Sequence, residues 1–184
     1  GIPFVTTYHG AYGEKGRIKR LYNSVMARSD IVIANSGFTA DLVAGRYRTP
    51  REKLRVIYRG VDGVTFDPAA VGPDRMGRLR AAWLVPDNAA RLTGWKGQSV
   101  VIAAAARLAA EGLLGDAVVV LAGDDQGRTG YRAELERQIA AAGLGGRVLL
   151  PGHCDDMPAA FALAHVAVVA STEPEAFGRA ATEA

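Results

Sequence analysis

The sequence predicts an α/β fold in two units, each with a parallel β-sheet covered by helices. Short segments that are apolar throughout recur along the chain, separated by stretches whose apolar residues follow helical spacing. A connection with little periodicity, containing Gly63, Pro68, Gly72 and Pro73, interrupts this alternation. We therefore predict two domains, residues 1–67 and residues 68–184.

Each element follows from its own local pattern. In the first unit we predict strands at residues 4–8, 31–34 and 54–58, a helix at residues 16–28, and a second helix that Ser36 caps. In the second unit we predict strands at residues 118–122, 147–150 and 166–170, and helices at residues 74–83, 98–110, 131–142 and 156–164.

Composition excludes several functional classes. The 184 residues carry a net charge of +3, with 22 basic and 19 acidic residues mixed along the chain, so a nucleic-acid-binding tail is not indicated. The longest apolar runs are shorter than the roughly 18 residues of a membrane helix. A single cysteine, Cys154, cannot form an internal disulfide, which favours a cytoplasmic location. Neither end of the sequence has a natural start or stop signal, so we expect a piece of a longer protein.

Two carboxylates near the end of the sequence carry the first functional signal. Glu175 and Glu183 are eight residues apart, about 12 Å along a helix. Glycosidase carboxylate pairs lie roughly 5–9.5 Å apart, so a hydrolase pair is disfavoured. A long ligand with a phosphate group near the start of the helix suits the spacing better, because helix N-termini favour anions. A nucleotide sugar has this shape.

Several motifs occur in the order used by one family. They are Thr7-Tyr8-His9-Gly10, Ala34-Asn35-Ser36, Val56-Ile57-Tyr58-Arg59-Gly60-Val61-Asp62, Arg91-Leu92-Thr93-Gly94-Trp95-Lys96-Gly97, Ala122-Gly123-Asp124, Pro151-Gly152 and the Glu175 to Glu183 segment. With these motifs the chain resembles the family 4 glycosyltransferases, which are retaining enzymes of the GT-B type, over nearly its whole length. The resemblance implies two incomplete Rossmann-like domains with the ligand cleft between them.

The resemblance also implies a reaction and its residues. A hexose would pass from a UDP-, GDP- or ADP-hexose to a hydroxyl of a glycan or lipid-linked acceptor, such as a cell-envelope glycan, with retention at the anomeric carbon. His9 and Glu175 would be catalytic. The donor-binding residues would be Arg91 and Lys96 at the diphosphate, Glu175, Phe177, Gly178 and Arg179 near the sugar and phosphates, and Glu183 at the ribose.

The implied chemistry requires no cofactor and no metal. Fixed cations and a helix N-terminus can stabilise the negative charge that develops on the leaving diphosphate. The nearest candidate for a metal site, Asp124-Asp125-Gln126, follows a strand, where acidic residues usually cap or solvate a loop.

A peripheral contact with the inner face of the membrane is a further expected partnership. The helix after His9 surrounds its apolar stripe with basic residues, namely Lys15, Arg17, Lys19, Arg20 and Arg28, a pattern that suits anionic headgroups. A solvated basic face above a core is the simpler interpretation of the same pattern.

One departure from the family is internal. The family has an apolar strand just before the Arg91 segment, whereas this chain has Pro86-Asp87-Asn88-Ala89-Ala90. We therefore expect little or no activity from the isolated chain. Two alternatives stay open: a nucleotide-sugar epimerase of the same architecture, and a non-catalytic remnant. A dehydrogenase is disfavoured, because no Gly-x-Gly-x-x-Gly motif follows a strand.

Overall fold

A computed structural model describes residues 1–13, 16–83, 97–123, 127 and 129–184. The chain forms two compact units: the first comprises Gly1–Gly60 with Pro174–Gly178, and the second comprises Val61–Glu173 with Arg179–Ala184. A short segment from near the end of the chain therefore belongs to the first unit. The predicted domain boundary after residue 67 stays a prediction.

The first unit is built on a three-stranded parallel sheet in the order β1-β2-β3. Its strands and helices are β1 (Val5–Tyr8), α1 (Arg17–Ser24), β2 (Ile31–Ala34), α2 (Gly37–Tyr47) and β3 (Leu54–Val56). Short 3₁₀ turns at Met26–Arg28 and Arg51–Lys53 precede the second and third strands. The predicted strands and helices of this unit are confirmed, but the first helix ends at Ser24, before a 3₁₀ turn, and the third strand ends two residues earlier than expected.

The core of the first unit fixes the end of β1. Tyr8, the last residue of that strand, is buried with Val32, Val43 and Leu54. Its hydroxyl donates a hydrogen bond to the backbone oxygen of Asn23 at 2.5 Å, so the buried polar group is satisfied. The residue that follows, His9, therefore leaves the sheet from a fixed point.

Ser36 begins α2 as predicted. Its backbone is extended, and its hydroxyl accepts a hydrogen bond from the backbone N–H of Thr39 at 3.1 Å. This is the usual geometry of an N-cap, which satisfies one of the free N–H groups at the start of a helix.

The second unit places helices around a two-stranded parallel sheet formed by β4 and β5. Its elements are α3 (Pro73–Trp83), α4 (Gln98–Ala110), β4 (Val119–Ala122), α5 (Thr129–Ala141), β5 (Val148–Gly152), α6 (Met157–Leu163) and α7 (Arg179–Glu183), with a 3₁₀ turn at Pro68–Ala70.

Side chains along β4 alternate between two cores. Leu121 packs among residues of α4 and α5, including Ile102 and Leu135. Its neighbours Val120 and Ala122 point the other way, into a cluster with Trp83 and residues of α6. Because both faces of the sheet are covered, its strands are apolar throughout, and the prediction of buried parallel strands is confirmed for this pair.

The strand predicted at residues 166–170 is wrong. This segment pairs with no described strand, and its side chains Val166, Val168 and Val169 are exposed. A β-strand needs hydrogen bonds to a neighbouring strand, and none of the described strands pairs with this segment. The sequence has no apolar run just before Arg91, where the resemblance leads us to expect a neighbouring strand. Residues 84–96 themselves lie outside the described residues.

We predict that Asp156 stabilises the second unit through two contacts. Its carboxylate caps α6 by accepting from the N–H of Ala159 at 3.1 Å, and it accepts from Arg75 Nε and Nη2 at 2.9 and 2.6 Å. Asp156→Ala should lower the free energy of unfolding by about 1 kcal/mol at neutral pH, as measured by urea denaturation.

The pH dependence of stability provides the control. The Arg75 guanidinium, more than any other group, lowers the pKa of Asp156 below its ordinary value of 3.8. The contribution of Asp156 to the free energy of unfolding is therefore complete above pH 3.8. It is lost as the pH falls through the lower pKa that Asp156 has in the folded protein. Asp156→Ala should lose this acid-dependent step, whereas Asp155→Ala, at a side chain 96% exposed, should retain it. Equal losses in both variants would contradict the assignment.

Candidate functional site

Three strand ends of the first unit meet at one edge of its sheet. Tyr8 is in register with Ala34, and Ala34 with Val56. Because the strands are parallel, the residues that follow them emerge on the same side, where α/β proteins usually bind ligands. These residues include His9 after β1, Asn35 after β2 and Arg59 after β3.

His9 is held at this edge by two hydrogen bonds. Its backbone oxygen accepts from Asn35 Nδ2 at 3.0 Å. Its ring nitrogen Nδ1 lies 2.8 Å from Nη2 of Arg59. His9 is exposed, and the contact of Nδ1 with Arg59 leaves its other ring nitrogen, Nε2, open to a ligand or solvent.

The segment that carries Glu175 lies beside His9. A Cβ atom built on Gly10 would be 3.5 Å from the Cβ of Ala176. Glu175 and Phe177 are half-buried in this segment, which belongs to the first unit. The structure therefore brings together the parts of the chain that hold the two predicted catalytic residues, His9 and Glu175.

The expected helix spacing of Glu175 and Glu183 is wrong. Helix α7 begins at Arg179, so only Glu183 lies on it, and Glu175 precedes it in an irregular segment. Gly178 separates the two with a φ of 73°, a left-handed conformation that ends the irregular segment before the helix. The distance of about 12 Å that a continuous helix would give between the two carboxylates therefore does not apply.

Glu183 is paired within the second unit. Arg179 donates to its Oε1 from Nε at 2.8 Å and from Nη2 at 2.5 Å. The side chain of Glu183 is 15% exposed, and among the described residues its Oε2 has no hydrogen-bond partner. Arg179 therefore orients the carboxylate while one oxygen stays available to accept hydrogen bonds.

The start of α4 contains two features that local patterns did not reveal. Gly97 has a φ of 77°, and a Cβ atom at this position would lie 1.7 Å from the backbone oxygen of Ala170. Gln98 is fully buried, with its Oε1 3.4 Å from the hydroxyl of Tyr131. Its Nε2 has no partner within the part of the chain that the structure describes. No sequence signal marks the burial of the Gln98 amide. Gly97, by contrast, is the last residue of the motif that begins at Arg91.

Arg91 and Lys96 lie outside the described residues, and so do Asp124, Asp125 and Gln126. Their roles stay predictions. Within residues 1–13, 16–83, 97–123, 127 and 129–184, no group of three or more His, Cys, Asp and Glu side chains is arranged to hold a metal ion. The same residues include no helix that is long and apolar enough to cross a bilayer.

The fold and these motifs define the class of the protein. Residues 88–184 match the profile of the Glycosyl transferases group 1 family, and residues 1–63 match that of Glycosyltransferase Family 4. The chain belongs to the Glycosyl transferases group 1 family. The predicted α/β fold of GT-B type, with parallel sheets covered by helices, is thereby confirmed.

Solved structures agree with this membership. A glycosyltransferase from Rickettsia africae ESF-5 is 30% identical, with a TM-score of 0.84 over 98% of this chain and 48% of its own. Anabaena Alr3699/HepE in complex with UDP-glucose is 27% identical, with a TM-score of 0.80 over 98% of this chain and 50% of its own. An α,α-trehalose 6-phosphate synthase from Burkholderia multivorans shares the fold at 17% identity, with a TM-score of 0.73 over 98% of this chain and 48% of its own.

The chain spans about half the length of these solved structures. No curated protein is significantly similar to it in sequence.

We predict that Gly97 is required for the packing of α4. Gly97→Ala places a methyl group on the carbonyl of Ala170 in addition to straining a left-handed φ, so its cost should well exceed the roughly 1 kcal/mol of the strain alone. Gly112→Ala is the matched control, because Gly112 has a φ of 69° with open space around it. Urea denaturation of both variants measures the difference; equal costs would show that the contact with Ala170 is not formed.

Proposed function

We propose that the protein containing this chain transfers a hexose from UDP-hexose to a hydroxyl group of a glycan or lipid-linked acceptor, with retention at the anomeric carbon. The chain provides the donor-binding residues. The observation that carries the proposal is the packing of the Glu175 segment against Gly10, beside His9, at the ligand-binding edge of the first unit. A carboxylate and an imidazole with this placement suit the recognition of a sugar.

The choice of uracil as the base of the donor nucleotide rests on similarity. Anabaena Alr3699/HepE, at 27% identity, was solved in complex with UDP and with UDP-glucose. Glu183 also supports a nucleotide site. Its carboxylate is paired with Arg179 through one oxygen, and a carboxylate can accept hydrogen bonds from the two hydroxyls of a ribose. GDP-hexose and ADP-hexose are the competing donors.

The chemistry requires stabilisation of two charges. As the bond between the anomeric carbon and the diphosphate breaks, its electron pair moves onto the diphosphate and positive charge develops on the sugar ring. The acceptor oxygen bonds to that carbon, and its proton passes to the leaving diphosphate oxygen. We assign Glu175 to the sugar charge and Arg91 and Lys96 to the diphosphate, since fixed charges that need no reorganisation lower such barriers most.

Calorimetric titration of the folded chain with UDP, GDP, ADP and UDP-glucose tests the donor assignment. We expect UDP and UDP-glucose to bind and the other nucleotides to bind much more weakly. Glu183→Gln should weaken UDP about tenfold, because a hydrogen bond to a charged group contributes roughly 1.5 kcal/mol.

Glu136→Gln is the matched control. Arg132 and Glu136 form the same kind of pair on α5, four residues apart, that Arg179 and Glu183 form on α7. This variant should bind UDP like the parent chain. A Glu183→Gln chain that binds UDP as tightly as the Glu136→Gln chain would overturn the role of Glu183.

A non-catalytic remnant is the second candidate. The observation that favours it is that residues 166–170 pair with no strand in the part of the chain that the structure describes. They lie next to the contact between Ala170 and Gly97 that fixes the start of α4. If this loss has dismantled the donor site, a folded chain binds none of the four ligands. Saturable binding of any one of them shows that the donor site is intact. A remnant that still binds a nucleotide then differs from an enzyme in transferring no glucose from UDP-glucose to an acceptor.

We also propose a peripheral contact with anionic membranes through α1. Ile18 and Tyr22 on this helix are 86% and 78% exposed, and Arg17, Lys19 and Arg20 lie on the same turns. Exposed apolar side chains among basic residues are typical of helices that lie in the membrane interface.

Liposome co-sedimentation tests the contact. The chain should pellet with vesicles that contain phosphatidylglycerol and remain in solution with vesicles of phosphatidylcholine alone. Ile18→Ser with Tyr22→Ser should reduce the pelleted fraction several-fold, because the apolar insertion is lost. Equal recovery with neutral and anionic vesicles would exclude the contact.

A further inference from the structure

The backbone of His9 is fixed by a buried chain of polar groups. Asn35 is 3% exposed and Thr39 is 1% exposed. The Ser36 hydroxyl lies 3.0 Å from Thr39 Oγ1, which donates to Asn35 Oδ1 at 2.9 Å. This bond determines the orientation of the Asn35 amide, because its oxygen is occupied and its Nδ2 is left to donate to the His9 carbonyl at 3.0 Å.

The side chain of His9 is fixed by a second group from a different strand. Nη2 of Arg59 lies 2.8 Å from His9 Nδ1. A guanidinium group carries only donors and stays protonated in proteins, so Nδ1 must be the acceptor. An imidazole that accepts at Nδ1 is neutral and carries its proton on Nε2. The second ring nitrogen of His9, Nε2, is therefore a hydrogen-bond donor.

We propose that Arg59 is a positioning residue for donor binding: it selects the Nε2–H tautomer of His9 and holds the ring so that Nε2–H donates to a hydroxyl of the hexose. This inference rests on the proposed function for the identity of the ligand. The geometry itself does not depend on the ligand, because Asn35 and Arg59 fix both ends of His9 without it.

Arg59 acts through His9 rather than on the nucleotide. Its only hydrogen bond among the described residues is the one to the imidazole, and it follows β3, at the sheet edge of the first unit that also carries His9 and Gly10. Loss of Arg59 should therefore affect the recognition of the sugar and not that of UDP. An arginine that bound the phosphates directly would affect both ligands.

Nitrogen-15 NMR of the full chain, labelled at its three histidines, tests the tautomer without any ligand. His9→Gln identifies the His9 signals. At alkaline pH the parent chain should show His9 with an unprotonated, hydrogen-bonded Nδ1 and a protonated Nε2. Arg59→Leu should shift the Nδ1 signal to that of a free acceptor, and Arg59→Lys, which retains a donor, should restore part of the shift.

Arg55→Leu is the control. Arg55 is an exposed arginine on β3 whose Nη1 donates to the backbone oxygens of Glu52 and Leu54, away from His9. Its variant should leave the His9 signals unchanged. A parent chain with the proton on Nδ1, or the same His9 signals in Arg59→Leu and Arg55→Leu, would overturn the proposal whether or not the chain binds a nucleotide.

Calorimetry with UDP and UDP-glucose supplies the second readout. Arg59→Leu should weaken UDP-glucose about fivefold, which corresponds to about 1 kcal/mol, and leave UDP unchanged, while Arg55→Leu changes neither. Equal weakening of both ligands would make Arg59 a nucleotide contact and contradict the positioning role. If the parent chain binds neither ligand, the proposed function fails, and the NMR result alone decides whether Arg59 orients His9.

Discussion

Parallel pairing of β1, β2 and β3 is the constraint on which the functional edge of the first unit depends. The register brings Tyr8, Ala34 and Val56 side by side, so the residues after them emerge together although they are far apart in sequence. His9 and Arg59 meet across 50 positions of the chain because of this register. The burial of Tyr8 and the capped start of α2 then hold the edge in place.

Among the described residues, the sheet of the second unit has only two strands. Its β4 and β5 form a parallel pair with both faces covered, and the helices around them pack into two cores. The apolar segment at residues 166–170 has the composition of a strand but lacks a ladder partner among the described residues. An apolar segment is not stable as a strand by itself, because the backbone N–H and C=O groups of a strand need a neighbouring strand as hydrogen-bond partner. The expected departure from the family, the lack of an apolar run before Arg91, falls in the same unit.

Local patterns predicted most of the elements and only part of the site. The bounds of α4 agree residue for residue with the prediction, since alanine-rich sequence with helical spacing specifies a helix locally. The cap at Ser36 is equally local. The strand at residues 166–170 failed because pairing is a tertiary property. The contact between Arg59 and His9 and the buried Gln98 could not be predicted either, because no spacing rule relates residues that only the fold brings together.

The central claim is that the edge of the first unit beside His9 recognises the sugar of the donor. The most direct measurement compares backbone amide NMR spectra of the chain saturated with UDP and with UDP-glucose. The account predicts that the signals that differ between the two complexes cluster at His9, Gly10 and Glu175, where the Glu175 segment packs on Gly10. Differences confined to other residues, with His9 and Gly10 unchanged, would contradict it.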